Sequence, residues 1–462
     1  MSPDLPLHYW SVTRLQAAYA SGGVSPAEAT QACTERIARL NGDLHAFILT
    51  LDDEATAHAA AIDSAGTSGA GSPLAGVPYA LKDNFDVAGL PTTCHSRSRL
   101  GRAAPLDSEA HAALKRAGAV LLGKNSMHEL ATGGPSFDLP WPPARNPWNR
   151  DLHPGGSSSG SGVAVAAGMS YFALGTDTGG SVRHPATACG IFGFKPSFNA
   201  ISTQGVVPLS RSLDHPGVLA RACRDIATIM AELASTQAER KGYAKLGQQG
   251  PTRRLREFSI GVIDAFSTDL EADPDMAAAF EDMLVRLGRA GCRVVRIRVD
   301  PLACYVATAR NLIAAEAYSD HGAGIEARPE DFSARTRVRI GQGKAFSREA
   351  YAALRDAQRR LASQLQAALD EVDVAMALSS LHFPCNISDE RAVNATYDKQ
   401  ARTPFNLTGM PAIAVPTGVN KASLPLGLQF AAGSGRDVSL LEFSMALEAV
   451  GLSGFMAPPE VC

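Results

Sequence analysis

The chain has 462 residues, of which 45% are hydrophobic and 19% are charged, with a net charge of -3. This composition is typical of a globular protein, and the charge gives no electrostatic reason to expect nucleic acid or an acidic membrane as a partner. There is no run of eighteen apolar residues, and the start MSPDLPLHYWSVTRL lacks the basic and apolar regions of a secretory signal.

The eight cysteines are scattered along the chain, and no two of them form a CxxC pair. This spacing predicts reduced, mostly buried thiols in a cytoplasmic protein rather than disulfides or a zinc site. His128-Glu129 begins like the metal-binding motif HExxH, but Thr132 stands where the second histidine would be. We therefore expect no metal ion.

The predicted elements begin with helices over residues 1–65, where Ser25-Pro26 followed by Glu28 is typical of a helix start. Further along, EAHAALKRAGAVLLGK and MAAAFEDMLVRLGRAGCRVVRIRV each pair a helix with a buried strand, and Gly118 ends the first of these helices. This alternation indicates α/β architecture. The polar segment 236–254 is predicted to be a surface connection. Residues 305–370 are predicted to be mainly helical and to cover a site.

Two clusters of glycine and serine lie close together, GGSSSGSG from Gly155 and GTDTGGS ending at Ser181. A helix of about eleven residues after the first cluster would travel roughly 16 Å. The strand SYFALG would cover roughly 20 Å. If the strand runs back beside the helix, the lengths nearly cancel, so Ser157 and Ser181 are predicted to meet in space.

The second cluster offers consecutive backbone N–H groups beside a serine, an arrangement that stabilises an oxyanion while the hydroxyl attacks a carbonyl. Serine becomes a good nucleophile only when a base removes its proton. Lys82 ends the apolar run GVPYALK, and burial would lower its pKa and leave a neutral amine. From composition alone, a solvated lysine at a strand end is the alternative interpretation.

Three stretches closely resemble the motifs of the amidase signature family: GVPYALKDNFDVAGLPTT, PGGSSSGSGVAVAAG and ALGTDTGGSVRHPATACGIFGFKPS. Further family-like motifs follow the family order: KRAGAVLLGKNSMHEL, ARNPWN, SLDHPGVLAR, and TPFNLTGMPAIAVPTG with LPLGLQF. The resemblance implies an α/β fold with a large mixed, twisted β-sheet flanked by helices. It implies a single domain over 1–462, with N-terminal helices at 1–65, a signature core at 66–234, and a C-terminal part at 255–462 with a helical cover at about 305–400.

The resemblance also implies a Ser–Ser–Lys catalytic core, in which Ser181 is the nucleophile, Ser157 the bridging serine after a cis peptide, and Lys82 the general base. No organic cofactor is implied. The remaining implied roles are an oxyanion hole of the amides of Thr178, Gly179, Gly180 and Ser181, support of Lys82 by Ser158, and a supporting charged pair of Asp177 and Arg183. From the residues alone, direct contact of this pair with the substrate is the alternative to a buried structural pair, which we favour.

Acyl-pocket residues are expected from Ala131, Thr132 and Gly133, from the loop 137–141, and from the helical cover. The longer segment 137–148, which includes this loop, is rich in proline and aromatic residues, which suggests an apolar substrate. His184 is expected to face the pocket. His215 could be a catalytic base, but turn and loop residues surround it, so we expect it to be structural or solvated. Ser159 replaces a glycine of the usual family motif, but the change spares both matched serines, so we expect little effect on chemistry.

The predicted reaction is hydrolysis of a carboxamide C–N bond in a small molecule through an acyl-enzyme, with aryl amides, esters and carbamates (urethanes) as further substrates. The resemblance allows a homodimer.

One alternative is an amidotransferase-type catalytic subunit that hands ammonia to a partner, although FDLPWPPARNP departs from the expected glutamine-handling pattern. Residues 156–160 also match the GxSxG nucleophile elbow, but the proline-rich PARNPWNRDLHP is a poor preceding strand. A binding protein without catalysis is disfavoured because the three triad residues are retained.

Overall fold

The computed structural model describes residues 5–66, 71–267, 270–397 and 401–459. These residues form one mixed sheet of eleven strands, in the order β1-β3-β2-β4-β6-β5-β10-β11-β9-β7-β8. The strands are β1 (Phe47–Thr50), β2 (Pro78–Lys82), β3 (Val120–Asn125), β4 (Phe172–Asp177), β5 (Phe192–Lys195), β6 (His215–Ala220), β7 (Ser259–Ile263), β8 (Arg293–Ile297), β9 (Val374–Leu378), β10 (Ala412–Val419) and β11 (Pro425–Ala431). The predicted α/β class with a large mixed sheet is confirmed.

Fifteen α-helices flank the sheet within the described residues. They are α1 (Val12–Ser21), α2 (Pro26–Leu44), α3 (Asp52–Ser64), α4 (Glu109–Arg116), α5 (Ser159–Ala166), α6 (Arg183–Cys189), α7 (Cys223–Leu233), α8 (Gln237–Gln249), α9 (Pro274–Arg289), α10 (Leu302–Ala327), α11 (Ala334–Gly341), α12 (Arg348–Leu369), α13 (Glu390–Ala395), α14 (Pro404–Leu407) and α15 (Asp437–Ala449). Among the helices of the described part of the chain, none has the length and apolarity needed to cross a membrane.

The direction of the strands determines which residues meet at the site. β2 lies between β3 and β4 and is parallel to both. The carboxyl ends of parallel strands point to the same edge of a sheet, so Lys82 at the end of β2 and Asp177 at the end of β4 lie at one edge. Crevices at this edge are where open α/β sheets commonly bind ligands.

The N-terminal helices agree with the prediction, and one strand was missed. Ser25 and Glu28 form a capping box at the start of α2, because the Glu28 amide donates to Ser25 Oγ at 3.2 Å and the Ser25 amide donates to Glu28 Oε2 at 2.8 Å. β1 (Phe47–Thr50) pairs antiparallel with β3 at the edge of the sheet. Its four residues are too few to show a strand period in the sequence.

The prediction of a surface connection at 236–254 was wrong, because most of this segment forms α8. A capping box starts the helix, with the Glu239 amide donating to Thr236 Oγ1 at 3.2 Å and the Thr236 amide donating to Glu239 Oε2 at 3.1 Å. Tyr243 and Leu246 are buried against the core. The apolar stripe of α8 is narrow, so its polar outer face dominates the composition and resembles that of a loop.

The cover consists of α10, α11 and α12. Tyr305 and Leu312 of α10 and Leu361 and Leu365 of α12 are buried in one cluster with Ala375 of β9 and its neighbours. Each side chain of this size contributes about 1.5–3 kcal/mol when it is fully removed from water, so the cover is firmly attached to the sheet.

Five of the seven described cysteines are buried free thiols, as predicted: Cys33, Cys94, Cys189, Cys223 and Cys292. Cys462 lies outside the described residues.

Candidate active site

The two glycine–serine clusters meet at the carboxyl edge of β4. The amide of Ser158 donates to the carbonyl of Ser181 at 3.2 Å. Between the clusters, α5 has eight residues rather than the predicted eleven or so, since Gly168 adopts φ +71° shortly after the helix ends. β4 then returns to the starting edge beside α5. The helix-and-return geometry therefore joins two segments that sequence composition alone would assign to a linker.

Lys82 is fully buried and contacts the first cluster directly. Its Nζ donates to Ser157 Oγ at 2.8 Å and to Thr176 Oγ1 at 2.8 Å. Burial lowers the pKa of Lys82 to about 7, although the carboxylates of Asp214 and Asp177 partly oppose this shift. A large share of the side chain is therefore a neutral amine near neutral pH. The alternative of a solvated lysine at a strand end is wrong.

Ser157 and Ser181 line one cleft, and they differ in exposure. Ser157 is buried at 2% exposure, whereas Ser181 is half-buried and open to the cleft. The peptide bond between Gly156 and Ser157 is cis. Only glycine fits at position 156, because a Cβ there would lie 2.1 Å from Cε1 of His128. The ring of His128 thus forms part of the cleft floor beside the serine.

Thr176 is a contact of Lys82 that the sequence analysis missed. Its Oγ1 also accepts from Asn84 Nδ2 at 3.1 Å. Ser158, which was predicted to steady Lys82, contacts Thr176 instead: Ser158 Oγ donates to the Thr176 carbonyl at 3.2 Å and accepts from the Thr176 amide at 3.3 Å. Support of the lysine by Ser158 is therefore indirect. Thr176 stands next to Asp177 on β4. This proximity to a predicted site residue is the signal in the sequence that could have identified Thr176 as part of the site.

Of the four residues predicted to form an oxyanion hole, three line the cleft. Thr178, Gly179 and Ser181 line the cleft. The amide of Gly180, in contrast, donates to Asp177 Oδ1 at 2.7 Å and is already engaged. Gly180 has φ +118°, and a Cβ there would lie 2.6 Å from Nε of Arg402. A glycine is required at this position to turn the loop, rather than to supply an amide to the cleft.

Asp177 and Arg183 form a fully buried ion pair with a 3.0 Å contact between Oδ1 and Nη2. Asp177 Oδ2 also accepts the amide of Val182 at 3.1 Å, and Asn406 Nδ2 donates to Oδ1 at 2.8 Å. Burial alone would raise the pKa of Asp177, but Arg183 and these hydrogen bonds hold it well below its usual range. Neither residue lines the cleft. The pair occupies a structural position, holding the turn that carries Ser181.

Two histidines lie close to the site without lining the cleft. The expectation that His184 faces the pocket was wrong, because its ring packs edge-on against those of His153 and Tyr397, with centroids 5.6 and 5.3 Å apart. His215 is buried, and its Nδ1 lies 2.6 Å from the carbonyl of Leu213. Of the structural and solvated positions expected for His215, the structural one agrees with this contact and with the burial of the ring.

The predicted acyl-pocket residues divide into two groups. Ala131, Thr132 and Gly133 line the cleft, as does the helical cover. The loop 137–141 does not: Phe137 is 55% exposed, and Arg97 Nη1 holds the carbonyl of Asp138 at 2.7 Å, outside the cleft. The apolar wall comes instead from residues the sequence analysis did not name individually, Leu209, Val306, Ile313, Ala314, Ala317 and Ile340.

A family model described as Amidase matches residues 28–441. The chain belongs to the amidase signature family. Membership supports a hydrolase or an amidotransferase that acts on C–N bonds, and it agrees with the resemblance of the individual motifs.

Relatives and solved structures of this family match the protein over nearly its whole length. A glutamyl-tRNA(Gln) amidotransferase subunit of Deinococcus radiodurans is 33% identical over 480 residues, covering 96% of this chain and 98% of the relative. A crystal structure of an amidase has a TM-score of 0.85 at 28% identity and covers 96% of this chain and 100% of its own. The structure of 6-aminohexanoate cyclic dimer hydrolase complexed with substrate has a TM-score of 0.86 at 25% identity, covering 98% and 100%.

Proposed function

We propose that this protein hydrolyses the carboxamide C–N bond of a small-molecule substrate through an acyl-enzyme on Ser181. The observation that carries the proposal is the 2.8 Å contact between Lys82 Nζ and Ser157 Oγ, which is shielded from water and lies beside a cleft that Ser181 also lines. Lysine, a bridging hydroxyl and an accessible serine are the groups through which a proton would pass from nucleophile to base.

In the acylation step, Ser181 Oγ forms a bond to the carbonyl carbon, and the carbonyl π electrons move to oxygen. The proton of Ser181 passes to Ser157 Oγ as the proton of Ser157 passes to Lys82 Nζ. When the tetrahedral intermediate collapses, the C–N bond breaks. The proton then returns through Ser157 to the leaving nitrogen, which departs as a neutral amine or ammonia.

The negative oxygen of the intermediate is stabilised by the amides of Thr178, Gly179 and Ser181, which line the cleft. Within the described residues, no acceptor contacts these three N–H groups. Water repeats the first step on the acyl-enzyme: its oxygen attacks the ester carbon, its proton passes through Ser157 to Lys82, and Ser181 leaves with that proton restored.

The substrate range follows from the carbonyl and from the cleft wall. Aryl amides and esters present a similar carbonyl carbon with a better leaving group, and carbamates present a similar carbonyl, so we include all three in the proposal. The apolar wall forms one part of the cleft lining, and the charged residues of the lining, within the described part of the chain, are Arg310 and Arg339. This lining fits a compact acyl group next to an apolar surface.

The second candidate function is the catalytic subunit of an amidotransferase. It is favoured by the full-length similarity to the glutamyl-tRNA(Gln) amidotransferase subunit of Deinococcus radiodurans. In this role, the same acylation would release ammonia from an amide to a partner protein. Glutamine hydrolysis that appears only with a copurifying partner would support this candidate. Hydrolysis of simple amides by the isolated chain would support the first.

The proposed function is tested by labelling the purified protein with a fluorophosphonate and mapping the modified peptide by mass spectrometry. We expect an adduct on Ser181 that is lost in Ser181→Ala and strongly reduced in Lys82→Ala. Hydrolysis of an aryl amide such as 4-nitroacetanilide is then measured with the same variants. Amide turnover that persists in Ser181→Ala would contradict the mechanism, and an adduct on Ser158 would revive the nucleophile-elbow interpretation.

A further inference from the structure

Asp214, in the loop 208–214, contacts the loop 178–181, which carries the proposed oxyanion donors. Its Oδ1 accepts from Thr178 Oγ1 at 2.6 Å, and its Oδ2 accepts from the amides of Leu209 and Ser210 at 2.9 and 3.0 Å. The side chain is buried, so water does not compete for these bonds. Thr178 and Leu209 both line the cleft. One carboxylate therefore links these two parts of the cleft, next to the pairing of Asp177 with His215 between β4 and β6.

Glu316 on α10 holds the other side of the same loop. Its Oε2 accepts from Ser210 Oγ at 2.6 Å and from the Ser212 amide at 3.0 Å. Its Oε1 accepts from Ser212 Oγ at 2.7 Å and from the Tyr351 hydroxyl at 2.8 Å. Burial alone would raise the pKa of Glu316, but these hydrogen bonds lower it, so the carboxylate remains charged at neutral pH.

The helix that carries Glu316 also builds the cleft wall. Ile313, Ala314 and Ala317 lie within three residues of Glu316 and line the cleft. A chain of hydrogen bonds thus runs from α10 through Glu316, the loop 208–214 and Asp214 to Thr178. Neither carboxylate is among the residues that line the cleft, so neither contacts the substrate there.

We propose that Asp214 and Glu316 are positioning residues that hold the cleft wall of α10 and the oxyanion amide of Thr178 in one geometry. The inference rests on the proposed hydrolysis at Ser181 and adds the groups that preorganise it. Oxyanion donors stabilise the transition state only when they already lie at hydrogen-bond distance from the position of the developing charge. Loss of either link is expected to displace the donors from the acyl group held by the wall.

Two pairs of variants separate hydrogen bonding from charge. Asp214→Ala and Glu316→Ala remove the acceptors. Asp214→Asn and Glu316→Gln keep one oxygen for the backbone N–H groups and place an NH2 where it can donate to the hydroxyls of Thr178, or of Ser212 and Tyr351. We expect the alanine variants to slow phosphonylation of Ser181 by a fluorophosphonate about tenfold to a hundredfold. The amide variants are expected to recover most of this rate.

The control is Asp320→Asn, which removes an ion pair between the same helix and the same loop at the surface. Asp320 lies 2.8 Å from Arg211, which is 70% exposed. Its variant is expected to react at the wild-type rate. If an alanine variant does not fold, Ser210→Ala and Tyr351→Phe each remove a single hydrogen bond to Glu316. Both are expected to slow phosphonylation by a smaller factor.

The second readout is the inhibition constant of phenylboronic acid, measured by protection against the fluorophosphonate. Ser181 Oγ bonds to boron and gives up its proton through Ser157, and a boronate oxygen takes the oxyanion position. The number of active sites in each variant is first counted by titration. In the alanine variants we then expect the inhibition constant to rise in parallel with the loss of phosphonylation rate. A merely structural role would reduce the number of active sites and leave the constant unchanged, and that result would overturn the inference. Failure of the wild-type protein to react with either reagent would overturn the proposed function, and with it this inference.

Discussion

The amide of Ser158 donates to the carbonyl of Ser181 at 3.2 Å, which joins the start of α5 to the loop after β4. The bond places Ser157, the proposed relay serine, beside the loop that carries Ser181, the proposed nucleophile. Lys82 enters the same edge of the sheet from β2, the parallel neighbour of β4. Three chain segments thus converge because β4 runs back beside α5 to the edge where the first cluster lies, and because the parallel strands β2 and β4 end together.

The reaction is expected to lose rate below neutral pH. Lys82 accepts a proton only as the neutral amine, and burial lowers its pKa to about 7. The phosphonylation rate of Ser181 should therefore be constant above this pKa and fall about tenfold per pH unit below it. A pH profile of the labelling rate measures this. The carboxylate of Asp214 favours the charged form of Lys82, so Asp214→Asn should lower the pKa of the lysine further. The fall in labelling rate should then begin at a lower pH in that variant.

If the fall in labelling rate at low pH disappears completely in Asp214→Asn, the titrating group is Asp214 rather than Lys82. Burial raises the pKa of this carboxyl to about 6, so the comparison is needed.

Ser157→Ala is expected to keep the nucleophile and lose the relay. The Lys82 amine then has no hydroxyl through which to reach Ser181, and hydrolysis should fall by about 10²- to 10⁴-fold, the usual contribution of general acid–base catalysis. Slow phosphonylation of Ser181 should remain detectable by mass spectrometry. Ser181→Ala is the matched comparison and should show no adduct at this site. Equal labelling of Ser157→Ala and the wild type would contradict the relay.

Gly180→Ala is expected to destabilise the fold. The backbone at this position has φ +118°, and the added Cβ would meet Nε of the buried Arg402 at 2.6 Å. The strain should lower the free energy of unfolding by about 1–3 kcal/mol or more, measured by urea denaturation. Gly179→Ala is the control for stability, since its Cβ would lie 3.9 Å from the nearest atom, on Thr403. Similar losses in both variants would exclude this explanation.

Asp177→Asn is expected to lower stability by about 3–5 kcal/mol, because it leaves Arg183 charged and buried without its partner. Asp43→Asn breaks an exposed pair with Arg150 and should cost about 0–1 kcal/mol. The pKa of Asp177 is depressed in the folded state. Its contribution is thus fully present above the unfolded pKa of about 4 and is lost as pH falls through the folded pKa. Denaturation curves at pH 7 and pH 3 test the sign: the difference between wild type and Asp177→Asn should shrink at pH 3.

Local features of the chain were predictable from the sequence. The Ser25–Glu28 capping box, the end of α4 before Gly118 and the strand ending at Lys82 all depend on residues within a few positions of one another. The chemistry of the glycine–serine clusters was predictable for the same reason. Residues 236–254 show the limit: the burial of Tyr243 in α8 depends on a distant surface, and polar composition alone favoured a loop.

The sequence by itself determined the α/β class, the residues available for a lysine–serine relay, and the segment order that brings the clusters together. Only the tertiary structure decided which polar groups are already engaged and what forms the cleft. The Gly180 amide is taken by Asp177, the loop at 137–141 is held outside the cleft, and Glu316 reaches Ser210 from 106 residues away. Hydrogen bonds and burial between distant segments depend on the packing of helices on the sheet, and no local spacing of residues encodes that packing.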